Sequence, residues 1–80
     1  MKILFFGRLS DASETMELDL PNSVKTTYDL QMWLADTNPA LNLAFKTKGN
    51  RVAVNKNMVD GNVLITNDDE VAFMSPLSGG

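Results

Sequence analysis

The chain has 80 residues, 7 Lys+Arg against 10 Asp+Glu, and a formal charge of −3; it is 44% hydrophobic and 21% charged. That length makes one domain at most, and the apolar fraction is enough for a core, which argues against a disordered chain. The acidic balance disfavours a nucleic-acid binder, and no apolar run approaches the roughly 20 residues of a membrane span. Cys and His are both absent. Disulfides, thiolate nucleophiles, Cys/His zinc sites and imidazole bases are therefore excluded. Met1 to Arg8 is too short in apolar residues for a signal-peptide core, so a cytoplasmic setting is expected. A core this small is marginal alone, and a partner surface would help it.

In chain order, Ile3-Leu4-Phe5-Phe6 reads as a strand buried on both faces, stopped by Gly7. One of the two phenylalanines must face away from the other, and periodicity does not say which. Leu9 to Ser13 is polar and small, a turn. Glu14 to Leu20 alternates, with Met16, Leu18 and Leu20 on one side of a half-buried strand. Together these predict an N-terminal hairpin.

Pro21-Asn22 breaks the strand, and Ser23 is placed to cap a helix from about Val24 to Thr37. Val24, Tyr28, Leu34 and Ala35 share its broad side. Trp33 lies roughly opposite Val24, which leaves its ring either on the surface or on a second contact. Asn38-Pro39 ends that helix and can start a short second one through Phe45. Lys46 to Asn50 is a loop. Arg51 to Asn55 is a strand, Lys56-Asn57 a turn, Met58-Val59 an extended piece and Asp60-Gly61 another turn. Val63-Leu64-Ile65 is apolar, Asn67-Asp68-Asp69 turns again, and Val71 to Met74 is the last strand. Residues 75–80 form no regular element.

Strands grouped around one main helix predict an α+β domain, a mixed sheet with that helix on one face. The first and last strands are the most apolar and should pair centrally, in parallel. This is the β-grasp (ubiquitin-like) arrangement, with a packed domain over 1–74 and a flexible tail over 75–80. A ferredoxin-like fold is the runner-up, but it needs a second substantial helix.

Internal sites are weak. The glycines make no nucleotide loop. Asp68, Asp69 and Glu70 read as a solvated turn before a cation site, and Lys46, Lys48, Arg51 and Lys56 as a solvated basic stretch. No metal or cofactor is expected on the chain itself. The terminal Gly79-Gly80 pair is either a frayed end or a reactive tail. Its α-carboxylate, with a reference pKa of roughly 3.3–3.7, is ionised at neutral pH and able to attack the α-phosphate of ATP. Two residues without side chains can thread a narrow channel. From Ser75 the tail spans about 20 Å at roughly 3.3–3.6 Å per residue.

The stretches Lys2-Ile3-Leu4-Phe5-Phe6-Gly7, Ala53-Val54-Asn55-Lys56 and Asp69 through Phe73-Met74-Ser75-Pro76-Leu77-Ser78-Gly79-Gly80 carry a resemblance. They resemble the ubiquitin-like sulfur-carrier family, and within it the small subunits of molybdopterin synthase. The last stretch is the specific one. Met74 stands where that family often has a second aromatic and Ser75 where it often has a first proline; both leave the tail less stiff. The resemblance implies a sulfur carrier. An E1-like activating enzyme adenylates the Gly80 carboxyl with ATP and magnesium, and a sulfur donor converts it to a thiocarboxylate. The tail, with Gly79 allowing it to thread, then enters the large subunit of a heterotetrameric synthase. There sulfur passes to cyclic pyranopterin monophosphate to build the dithiolene of the molybdenum cofactor. Partner contacts fall by the same resemblance on Phe6, Met58, Met74, Pro76 and Leu77, with Phe6 outward. The alternatives are a carrier for thiazole biosynthesis, tRNA thiolation or protein conjugation, and a plain β-grasp interaction domain whose glycines are incidental.

Overall fold

The computed structural model describes residues 1–76. Among these, the elements run β1 (Lys2–Phe6), α1 (Arg8–Ala12), β2 (Met16–Glu17), α2 (Thr27–Thr37), α3 (Pro39–Phe45), β3 (Arg51–Val54), β4 (Asn57–Val59) and β5 (Glu70–Met74). The strands form one sheet in the order β2-β1-β5-β3-β4. β1 and β5 pair in parallel at its centre, Lys2 with Glu70 through Phe6 with Met74. The other pairs are antiparallel. This is the expected α+β, β-grasp arrangement.

Register decides which residues face the helices. Phe5 is level with Phe73 and Phe73 with Val52; Ile3 is level with Val71 and Val71 with Val54. Ile3, Phe5, Val71 and Phe73 are buried with Leu9, Val24, Leu30, Leu34, Leu41 and Ile65 in one cluster. Phe73 stacks on Phe5 at 6.0 Å and meets Phe45 edge-on at 5.2 Å. Each such ring removed from water contributes about 1.5–3 kcal/mol.

Several local expectations need correction. Arg8 to Ala12 is a helical turn, because Leu9, fully buried, draws the segment onto the core. The alternation after Glu14 does place Met16, Leu18 and Leu20 against the core. The ladder itself stops at Glu17, the partner of Lys2 at the start of β1. Leu18 instead exchanges bonds with Met1, its N–H donating to the Met1 carbonyl at 3.0 Å and its carbonyl accepting from the terminal ammonium at 2.8 Å.

The main helix starts at Thr27, three residues later than Ser23 suggested. Thr26 is its cap, its hydroxyl accepting from Asp29 N–H at 3.1 Å, while the Asp29 carboxylate accepts from Lys25 N–H. Two backbone donors are satisfied reciprocally, which Ser23 cannot match. Val24 sits in the core ahead of the helix, and Tyr28 is 53% exposed. Leu30 and Leu34 form the buried stripe, and Trp33 packs half-buried against the cluster.

The second helix begins where expected. The Asn38 side chain accepts from Ala40 and Leu41 N–H, with Pro39 in the first turn. The β3–β4 turn lies one residue earlier than expected. Asn55 (φ 51) and Lys56 (φ 70) are its left-handed central pair, the geometry that matches the twist of a two-residue hairpin. Val63 to Ile65 does not join the sheet. It docks on the chain entering α2, with Thr27 N–H donating to Val63 O and Ile65 N–H to Lys25 O.

Candidate functional site

The sheet has a second face, away from the helices, and register sorts its residues into rows. At one end Phe6, Met74 and Arg51 lie level. In the middle come Leu4, Ala72, Ala53 and Met58. At the far end are Glu17, Lys2 and Glu70. Apart from Arg51, the face is thus apolar toward the end of β5 and charged toward its start. Phe6 is 48% and Met58 51% exposed, while Leu4, Ala72 and Met74 are half-buried. The alternation of β1 turns Phe5 into the core and Phe6 out. Arg51 forms an ion pair with Asp60 at 3.8 Å between two exposed side chains, a contact of little energetic weight.

The chain leaves the sheet beside this apolar end. Ser75 is 8% exposed. Its N–H donates to the Phe6 carbonyl at 3.3 Å, and its hydroxyl accepts from Arg8 N–H at 2.7 Å. Pro76 lies against Gly49. Ser75 and Pro76, assigned by the sequence to a flexible tail, are therefore held against the body. Leu77, Gly79 and Gly80 lie outside the described residues.

The structure brings Phe6, Met58 and Met74 onto one face, and Pro76 follows Met74 by two residues to lie against Gly49. Sequence reasoning missed the small residues beside them, Ala53 and Ala72. Period two carried along each strand would have aligned Leu4 with Phe6 and Ala72 with Met74. The cross-strand rows need register, which one strand alone does not contain.

The acidic turn has a different role. Asp69 accepts from Asn55 Nδ2 at 2.9 Å and from Thr66 N–H at 2.8 Å, and the Asn55 bond first, then Thr66, holds its carboxyl below the usual range. Asn55 Oδ1 accepts in turn from Glu70 N–H at 2.9 Å. The turn thereby fastens β5 to the β3–β4 hairpin. Among the described residues no group of three or more acidic side chains is placed to hold a metal ion. The cleft between α2 and the 45–50 loop, bordered by Met32, Phe45 and Asn50, contains none of the expected site residues. No helix among the described residues is long and apolar enough to cross a membrane.

Among the described residues the arrangement offers an open apolar face, with Ser75 and Pro76 following β5 at the end of the sheet where Phe6 and Met74 pair. The sequence profile of the ThiS family matches residues 3–80. No curated protein matches the chain.

Proposed function

The chain belongs to the ThiS family of ubiquitin-like sulfur carriers, and on that premise we propose that it is the sulfur-carrying small subunit of a molybdopterin synthase. The observation that carries the reading is the coincidence of the open apolar face with the point where the chain leaves the sheet. Phe6 and Met74 are paired in register, and the next two residues lead to Pro76. A partner that grips this face has the terminus within the reach of the four residues after Pro76, at most about 14 Å.

In this proposal the Gly80 carboxylate attacks the α-phosphate of ATP in an E1-like enzyme, magnesium assisting, and pyrophosphate leaves. A sulfur donor displaces AMP to give the thiocarboxylate. The large subunit of a heterotetrameric synthase then binds the apolar face through Phe6, Met58 and Met74, with Pro76 and Leu77 at its rim. Gly79 passes the channel, and the sulfur of Gly80 is transferred to cyclic pyranopterin monophosphate in the cytoplasm. The ending Phe73-Met74-Ser75-Pro76-Leu77-Ser78-Gly79-Gly80 supports this branch through its resemblance to those small subunits.

Pyrophosphate exchange with an activating enzyme tests the carrier step. The full chain should support exchange, and deletion of Gly80, or one residue added after it, should abolish it in a protein that still folds. Exchange undiminished by truncation would overturn the reading. For the branch, the thiocarboxylated chain is offered to a molybdopterin synthase large subunit with precursor, and in parallel to a thiazole synthase and a tRNA-thiolating enzyme. Product only in either of the latter reactions replaces the molybdopterin assignment.

A further inference from the structure

The end of β5 is gripped by two loops, each containing a glycine in the left-handed region. Gly7, between β1 and α1, has φ 69, and a Cβ there would overlap the Ser75 hydroxyl. Gly49, between α3 and β3, has φ 88, and a Cβ there would lie 2.9 Å from Pro76 Cγ. Either substitution is strained by its backbone and by its neighbour. The cap residue of α1 is Gly7, which has no side chain to offer the first turn. Ser75, 67 positions beyond Arg8, supplies an acceptor to Arg8 N–H. Its hydroxyl also faces the Phe6 carbonyl at 3.4 Å, so it can donate there while it accepts from Arg8. A buried hydroxyl satisfied on both sides defines one orientation of the residue that bears it.

We infer that Gly7, Gly49, Ser75 and Pro76 form a clasp that sets the direction in which the chain leaves the body, and that Ser75 is a positioning residue for the reaction at Gly80. The inference rests on the sulfur-carrier reading but not on its branch. Four residues beyond Pro76 span at most about 14 Å, so the place and direction in which they start bound where the reacting carboxylate can be delivered. Misplacement of a reacting atom by even about 1 Å can cost on the order of a hundredfold in rate. The partner grips the apolar face through Phe6, Met58 and Met74, none of them in the clasp, and Ser75 is not among its contacts. Loosening the clasp therefore leaves docking intact and lowers the fraction of docked carriers whose terminus is productive.

The test compares the full chain with Ser75→Ala and Ser75→Thr. Amide hydrogen exchange at Arg8 reports the clasp, thermal unfolding reports the fold, and pyrophosphate exchange with an activating enzyme is resolved into kcat and KM. Ser75→Ala should speed exchange at Arg8 and lower Tm by no more than about 16 °C, as loss of the hydroxyl's two hydrogen bonds does in a domain of this size. It should reduce kcat by roughly tenfold or more while KM stays within about twofold. Ser75→Thr, which keeps the hydroxyl, should recover most of kcat. If Ser75→Ala keeps the kcat of a fully active parent, or if KM alone changes, the positioning role is wrong. If the parent chain itself supports no exchange, the carrier reading fails first and the positioning role falls with it.

Discussion

Asn55 shows how much one side chain settles here. It takes the left-handed backbone of a tight turn at φ 51, which asparagine tolerates better than most residues. Its amide donates to Asp69 and accepts from Glu70 N–H, and its own N–H donates to Glu70 O at 2.8 Å. Asn55→Ala gives up both side-chain bonds and the local preference, and should cost about 2 kcal/mol in urea unfolding. Asn55→Gly, which restores only the backbone freedom, should recover a minor part. Asp69 adds a pH dependence. Its folded pKa lies below the ordinary value of 3.8, so its contribution is complete above that value and is lost as pH falls through the folded one. The stability advantage of the parent over Asp69→Asn should therefore be constant near neutrality and shrink below about pH 4. A gap that is the same at pH 7 and pH 3 would show that the carboxylate is not the source.

The helices illustrate how caps and burial compete for a boundary. Both Ser23 and Thr26 are chemically able to cap α2, but only Thr26 has Asp29 three residues on to complete the exchange. At α3 one residue does more than cap. Asn38 Oδ1 accepts from Ala40 and Leu41, while Nδ2 donates to the Ala12 carbonyl at 3.2 Å and so ties α3 to α1. Asn38→Ala should lower stability by about 1–2 kcal/mol, seen as a fall in Tm. Asn38→Ser should fall between the two, since serine keeps the cap and loses the bond to Ala12. Equal stability of Ser and Ala variants would assign the whole effect to that tertiary bond.

For the whole molecule, the consequence of the sheet order is that, among the described residues, one face is covered by helices and the other is not. Phe6 and Met58 are about half exposed on that open face, where they have little to lose in the isolated fold. Covered by a partner they become apolar anchors of the kind that dominate interfaces. Phe6→Asp and Met58→Asp should each weaken binding to the partner enzyme by about 2 kcal/mol or more in calorimetry, with a much smaller change in unfolding free energy. Unchanged affinity in both would remove this face from the docking surface.

Much of this was legible in the residues themselves. Absence of Cys and His excluded whole classes of chemistry. The apolar first and last strands pointed to a parallel central pair, and Asn38-Pro39 marked the join between two helices. These signals act within a few residues, through backbone preference, capping and period-two alternation, and each remains true whatever lies across from it. The tertiary structure decided what local rules leave free. Leu9 made a helix of a polar segment because a core site was there to fill, and Trp33 turned out to pack against that core. Thr26 displaced Ser23 once Asp29 folded back beside it. The open face exists only in the register of β1 with β5 and of β5 with β3. Ser75 reads in sequence as a loose tail residue. Its buried, doubly bonded hydroxyl depends on Phe6 and Arg8, almost the length of the chain away, and contacts of that separation are created only when the chain closes on itself.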